Sequence, residues 1–219
     1  MIYLDFYNKL DSMHNKEYIE TFLVYNLSLV IAGIKPAVTI TIKKNNQKLY
    51  NSWNDFGSDF IETINFKFIE LRESCDSIIV MIYDEFILEK DLNKKSHMKF
   101  LFNIGYPSNV CIDDYINVLK IRYEKYHCPH ELGLFLGIPF KDVKDFMECT
   151  TKKCLLCGYW KVYNDSNKAK EIFNKYDKVK EYTIKNMLKG NSSRDLALSI
   201  KNSFYENAKY IQLLQIIYI

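Results

Sequence analysis

The chain has 219 residues, a net charge of +3, and 48% hydrophobic and 15% aromatic residues. That length and apolar content fit one domain with a sizeable core and exclude a disordered chain. The small net charge, with lysines interleaved among acids as in Lys141-Asp142-Val143-Lys144-Asp145, argues against a nucleic-acid binder, which gathers far more positive charge on one face.

The N-terminal stretch is interrupted by Asp5 and Asp11 and does not read as a signal peptide. The longest apolar run, Phe22–Ile34, holds Asn26 and Ser28 and falls short of the roughly 20 apolar residues a bilayer needs. The expectation is a cytoplasmic protein with no membrane association, whose six cysteines are reduced thiols.

Residues 16–32 carry Ile19, Phe22, Leu23, Leu27, Val30 and Ile31 at helical spacing, ended by Gly33 and Pro36. Residues 37–43 alternate as a strand. Trp53–Arg72 reads as a helix through Phe60, Ile64, Phe68 and Leu71. Ser77–Tyr83 is a continuous apolar run, suited to a strand buried on both faces. Phe86–Phe102 reads as a helix, broken by Gly105-Tyr106-Pro107. Asp113–Tyr126 reads as a helix with Tyr115, Leu119 and Tyr123 inward. Leu132–Leu136 is a short strand candidate, Phe140–Met147 a helix, and Tyr159–Tyr163 a strand. Asp165–Tyr176 is a helix with Asp165 or Ser166 as its N-cap. After Gly190-Asn191-Ser192-Ser193, residues 194–214 form a separate amphipathic helix. The pattern predicts an α/β (α+β) fold with one small mixed sheet of about four strands covered by helices. Residues 1–190 form the domain and 191–219 a C-terminal helical appendage.

The block from Cys128 to Tyr163 is the most motif-like part of the chain. Pro129-His130-Glu131-Leu132-Gly133-Leu134-Phe135-Leu136-Gly137 is followed by Pro139, Asp142-Val143 and Phe146, then by Gly158-Tyr159-Trp160-Lys161-Val162-Tyr163, Ala169, Phe173 and Tyr176. With Ala32-Gly33-Ile34-Lys35-Pro36-Ala37 and Gly105-Tyr106-Pro107, this block resembles a bacterial, clostridial-type domain of unknown function, family 3793, over about residues 20 to 190. The resemblance implies no assigned reaction. It does imply an association with flavodoxin and iron-uptake genes, hence a redox or iron connection, a flavodoxin-type partner, and flavin, haem or iron as cofactors to consider. The chain departs from the family pattern where a Cys and a Pro precede the Ala-Gly-Ile-Lys motif: Leu27 and Leu29 stand there.

Three groups of residues carry candidate chemistry. His130 and Glu131 are catalytic candidates, because imidazole and carboxylate exchange protons near neutrality; the structural alternative is a turn residue and a surface ion pair. Lys35, Tyr159 and Lys161 are candidates for binding a small anionic or planar ligand. For Lys35 the alternative is a cation completing a helix C-terminus, and for the other two an amphipathic strand with Trp160 and Val162 in the core. Cys149, Cys154 and Cys157 have C-x₄-C-x₂-C spacing, and Cys128 is a possible fourth metal ligand; the alternative is a set of small apolar side chains. No P-loop, G-x-G-x-x-G, G-x-S-x-G or H-E-x-x-H motif occurs. These residues predict a ligand-binding or accessory protein, with two rivals. One is an enzyme using His130 as acid–base and Lys161 as anion anchor. The other is a protein–protein interaction module.

Overall fold

The computed structural model describes residues 2–108, 111–148 and 151–205. Helices α1 (Ile2–Ser12) and α2 (Asn15–Ile31) lead into strand β1 (Ala37–Lys43). Gly33, at φ +68°, turns the chain out of α2, and the Gly33 N–H returns to the Val30 carbonyl at 2.8 Å. This left-handed position favours glycine.

A helical segment follows, made of α3 (Gln47–Ser52), a π-turn over Trp53–Gly57, and α4 (Ser58–Thr63). The helix expected over Trp53–Arg72 therefore ends early. Asn65 adopts φ +61°, which Asn tolerates better than most residues, and the chain enters strand β2 (Lys67–Glu73). The four-residue spacing of Phe60, Ile64 and Phe68 imitates a helix across that break.

Strand β3 (Ser77–Tyr83) lies between β1 and β2 and is antiparallel to both. A register shift between Glu70 and Arg72 leaves Leu71 as a bulge, turned into the core. Helices α5 (Glu85–Leu92), α6 (Lys95–Asn103), α7 (Ile112–Tyr126), α8 (Leu132–Phe135) and α9 (Phe140–Glu148) come next, so the helix expected over 86–102 is two. A hairpin of β4 (Leu156–Cys157) and β5 (Lys161–Val162) precedes the long α10 (Ser166–Leu188) and α11 (Ser193–Ile200).

The α+β class stands. Among the described residues the main sheet has three strands, all antiparallel, and the hairpin forms a second small sheet. Leu132–Leu136 is helical where a strand was expected. Short apolar runs carry no periodicity that separates a strand from a buried helical turn. Here the Leu132 N–H bonds to the Pro129 carbonyl at 3.0 Å and the Leu136 N–H to the Leu132 carbonyl at 3.0 Å.

The sheet separates two cores, and its central strand serves both. Ile78, Val80 and Ile82 face a cluster built from α1, α2, α10 and α11. Met81 and Tyr83 face the other, built from α5, α6, α7 and α8. The continuous apolar run of β3 has this cause. Helix α11 sends Leu196, Ala197 and Ile200 into the first cluster, and the Tyr205 ring beyond it lies against Gly33. A π-turn over Lys201–Tyr205 continues α11, and residues 206–214 of the helix expected over 194–214 lie outside the described residues.

Candidate functional site

The motif block spans the two cores. Leu132, Leu134, Phe135 and Val143 belong to the second cluster, whereas Trp160 and Val162 belong to the first. Asp142, in the first turn of α9, joins them. Its Oδ2 accepts the Trp160 indole N–H at 2.8 Å. Its Oδ1 accepts the Tyr163 N–H at 3.0 Å, the Asn164 N–H at 3.1 Å and the Asn164 side-chain amide at 2.8 Å. Asp142 is buried, so this saturation offsets its desolvation.

Gly137 and Gly158 are close-packing positions. A Cβ on Gly137, at φ +73°, would lie 2.6 Å from Pro36 Cδ, and one on Gly158 would lie 2.3 Å from the Phe173 ring. The motifs around residues 32–37, 129–146 and 158–176 therefore interlock.

Glu131 and His130 diverge. Glu131 is 1% exposed, paired with Arg122 and accepting the Tyr106 hydroxyl at 3.3 Å. Arg122 also donates to the Ile104 carbonyl at 3.0 Å and stacks over the Tyr106 and Tyr126 rings. Burial, with Glu131 beside it, pushes the Tyr106 hydroxyl well above its ordinary value. Glu131 thus anchors the turn from inside.

His130 is exposed, its ring centroid 4.8 Å from that of Phe146. The Lys161 ammonium lies 5.5 Å from the same Phe146 ring. Both residues are exposed and contact Phe146, apart from Glu131.

Tyr159 turns the other way, towards α10. Its ring lies 4.9 Å from Tyr176 and its hydroxyl donates to Asp177 Oδ1 at 2.7 Å. Lys35 approaches the same Tyr176 ring, at 5.9 Å. Lys35 is half-buried, and burial, with Lys180 nearby, lowers its ammonium pKa to about 8. Lys180 is likewise half-buried and lies 4.5 Å from the Tyr25 ring centroid. Burial lowers its pKa too, and Asp177 partly opposes that. Among the described residues neither lysine closes an ion pair. Tyr25 is pushed up to about 12 by burial and by Tyr7 and Tyr3, which completes a tyrosine-rich surround.

Lys180, Tyr25, Asp142 and Arg122 did not emerge as site residues from the sequence. Lys180 stands one helical turn beyond Tyr176, so its shared face was legible. Asp142 stands in the motif block, but an acid in a first turn reads equally well as a dipole partner.

Cys154 and Cys157 bring their sulfurs to 3.9 Å. Cys128 lies beside Tyr123 instead, and Cys149 is outside the described residues. Among the described residues no three His, Cys, Asp or Glu side chains gather as a metal site. Two adjoining clefts, of about 340 and 900 Å³, share Asn65, Phe66, Asp84, Lys201 and Tyr205; none of the motif candidates lines them. In the larger cleft Lys67 and Lys94 are paired with Glu85 and Asp91. No helix among the described residues is long and apolar enough to cross a membrane.

These features define an α+β protein whose motif residues mostly build a staple between two cores, leaving a half-buried lysine–tyrosine patch and an exposed His–Phe–Lys surface. The chain belongs to the family described as protein of unknown function (DUF3793), whose model matches residues 23–197. That span runs from α2 into α11. No curated protein matches the chain, and no solved structure does.

Proposed function

We propose that this protein is a cytoplasmic ligand-binding or accessory protein that holds a small anionic ligand with a planar ring across Lys35, Lys180 and Tyr159. The observation that carries the reading is the pair of half-buried lysines, close enough to repel one another and without an ion-pair partner among the described residues. Two desolvated like charges destabilise the folded chain, and an anion relieves that cost. The exposed Tyr159 ring supplies flat apolar surface beside the charge, backed by the buried Tyr176 ring. With a pKa of about 8, Lys35 remains mainly protonated at neutral pH.

The redox or iron connection rests on the family resemblance, which makes flavin mononucleotide and haem the first planar anions to try. The test is calorimetric titration with flavin mononucleotide, haem and inorganic phosphate, alongside Trp160 fluorescence, since Trp160 contacts Tyr176. Saturable binding of a planar anion is expected, weakened at least tenfold in Lys35→Met and Lys180→Met, and weakening as pH rises through 8. No saturable binding by any of the three, or variants that bind as the parent does, would sink the reading.

A second reading, an enzyme, is favoured by the meeting of His130 and Lys161 on Phe146. It predicts turnover of an anionic ester that is lost in His130→Ala and shows a raised KM in Lys161→Ala. Turnover indifferent to both changes would remove it.

A further inference from the structure

The geometry points to Cys154 and Cys157 as a reversible dithiol–disulfide site that exchanges electrons with low-molecular-weight disulfides such as oxidised glutathione. Their sulfurs stand 3.9 Å apart, about 2 Å from bonding distance. The approach is built into the local backbone. The Leu155 N–H bonds to the Val162 carbonyl at 2.9 Å, Cys157 pairs with Lys161 across the hairpin, and the Cys154 thiol turns back to the Leu156 carbonyl at 3.2 Å. Access is graded: Cys157 is exposed and Cys154 half-buried. That order suits an attacking thiol and a resolving one.

The two sulfurs have no third or fourth ligand among the described residues, so they read as a redox pair in place of half a zinc site. Cys154 beside it pushes the Cys157 thiol up, and Lys161, paired with Cys157 across the hairpin, partly opposes that. The Cys157 thiolate attacks one sulfur of the external disulfide. That S–S bond breaks, a mixed disulfide forms, and one thiolate leaves with the proton Cys157 has given up. Cys154 then loses its proton, attacks the Cys157 sulfur, and expels the second thiol, which takes that proton. Two protein thiols become one disulfide, and the external disulfide becomes two thiols. The proposal does not rest on the ligand patch.

Trypsin offers a direct readout, because cleavage after Lys153 and Lys161 releases a peptide containing Cys154, Cys157 and no other cysteine. The intact protein is equilibrated across ratios of reduced to oxidised glutathione, quenched by alkylation and mapped by mass spectrometry. The expected result is loss of both alkylations from this peptide, with a mass lower by two hydrogens, reversed by dithiothreitol. In Cys154→Ser the same peptide should carry a stable glutathione adduct on Cys157. A peptide alkylated twice at every ratio, a disulfide linking it to the Cys149 peptide, or zinc bound stoichiometrically by these thiols would each overturn the proposal. Circular dichroism of Cys154→Ser and Cys157→Ser, expected to match the parent, separates loss of the pair from loss of the fold.

Discussion

The carboxylate of Asp142 accepts the indole N–H of Trp160 at 2.8 Å, joining a helix of one core to a hairpin of the other. The same carboxylate takes the Tyr163 and Asn164 backbone N–H groups, so one side chain determines where the 158–164 segment lies. Both Tyr159 and Lys161 sit on that segment. The placement of the ligand patch and of the His130–Phe146–Lys161 surface therefore depends on Asp142, which belongs to neither set.

Replacing Asp142 by Ala should cost about 3–5 kcal/mol, because the indole and two backbone N–H groups lose a charged acceptor in a buried setting. Urea unfolding of Asp142→Ala measures it. Asp142→Asn, which keeps one acceptor, should fall between. A loss below about 1 kcal/mol in the Ala variant would mean the hairpin is held by Trp160 and Val162 packing alone.

Arg122→Met should be more damaging than its partly exposed position suggests. Among the described residues it leaves the Glu131 carboxylate, 1% exposed, with only the longer Tyr106 hydrogen bond. Breaking a buried pair from one side costs about 3–5 kcal/mol, whereas replacing both partners by apolar groups is often near neutral. The double variant Arg122→Met/Glu131→Leu should therefore recover most of the loss in guanidinium unfolding. A double variant as unstable as the single one would argue that Glu131 matters for more than its pair.

Lys35→Met should raise stability at neutral pH, by about 1–3 kcal/mol. The folded pKa of Lys35, about 8, lies below its value of 10.5 in the unfolded chain. The unfolded chain binds more protons between those two values, so the contribution of Lys35 to stability improves with rising pH across that window. Below pH 8 the whole cost of the buried charge is present, and above 10.5 it is gone. The advantage of the Met variant should shrink steadily from pH 8 to 10, read as the difference between paired unfolding curves. A difference that ignores pH would show that packing, not charge, sets the effect.

Gly137→Ala should destabilise by about 2–4 kcal/mol, combining the penalty of a left-handed backbone with a forced shift at Pro36. The φ of +73° and the 2.6 Å approach of a built Cβ to Pro36 Cδ are the grounds. Thermal unfolding checks it. Gly190→Ala is the control, also at positive φ but with nothing within 4 Å of its Cβ. It should lose only the backbone share.

The elements legible in the sequence are those whose signal is local. The stripe from Ile19 to Ile31, the alternation of residues 37–43, the run Ile78–Ile82 and the inward Tyr115, Leu119 and Tyr123 all occur where expected. Asp165 caps α10 through the Lys168 N–H at 2.9 Å, and Trp160 and Val162 are buried while Tyr159 and Lys161 are not. Misreadings arise where a local pattern is shared by two structures, as at Leu132–Leu136 and across Asn65.

By itself the sequence determined that this chain folds as helices around a small sheet and that the 128–163 block is its distinctive part, because periodicity and caps act within a few residues. Only the tertiary structure decided what the block does. It turned Glu131 inwards to Arg122 and His130 outwards to Phe146, divided Tyr159 from Lys161, and brought Lys35 beside Lys180. Burial and pairing of charge depend on which distant segments meet, and no spacing along the chain encodes that.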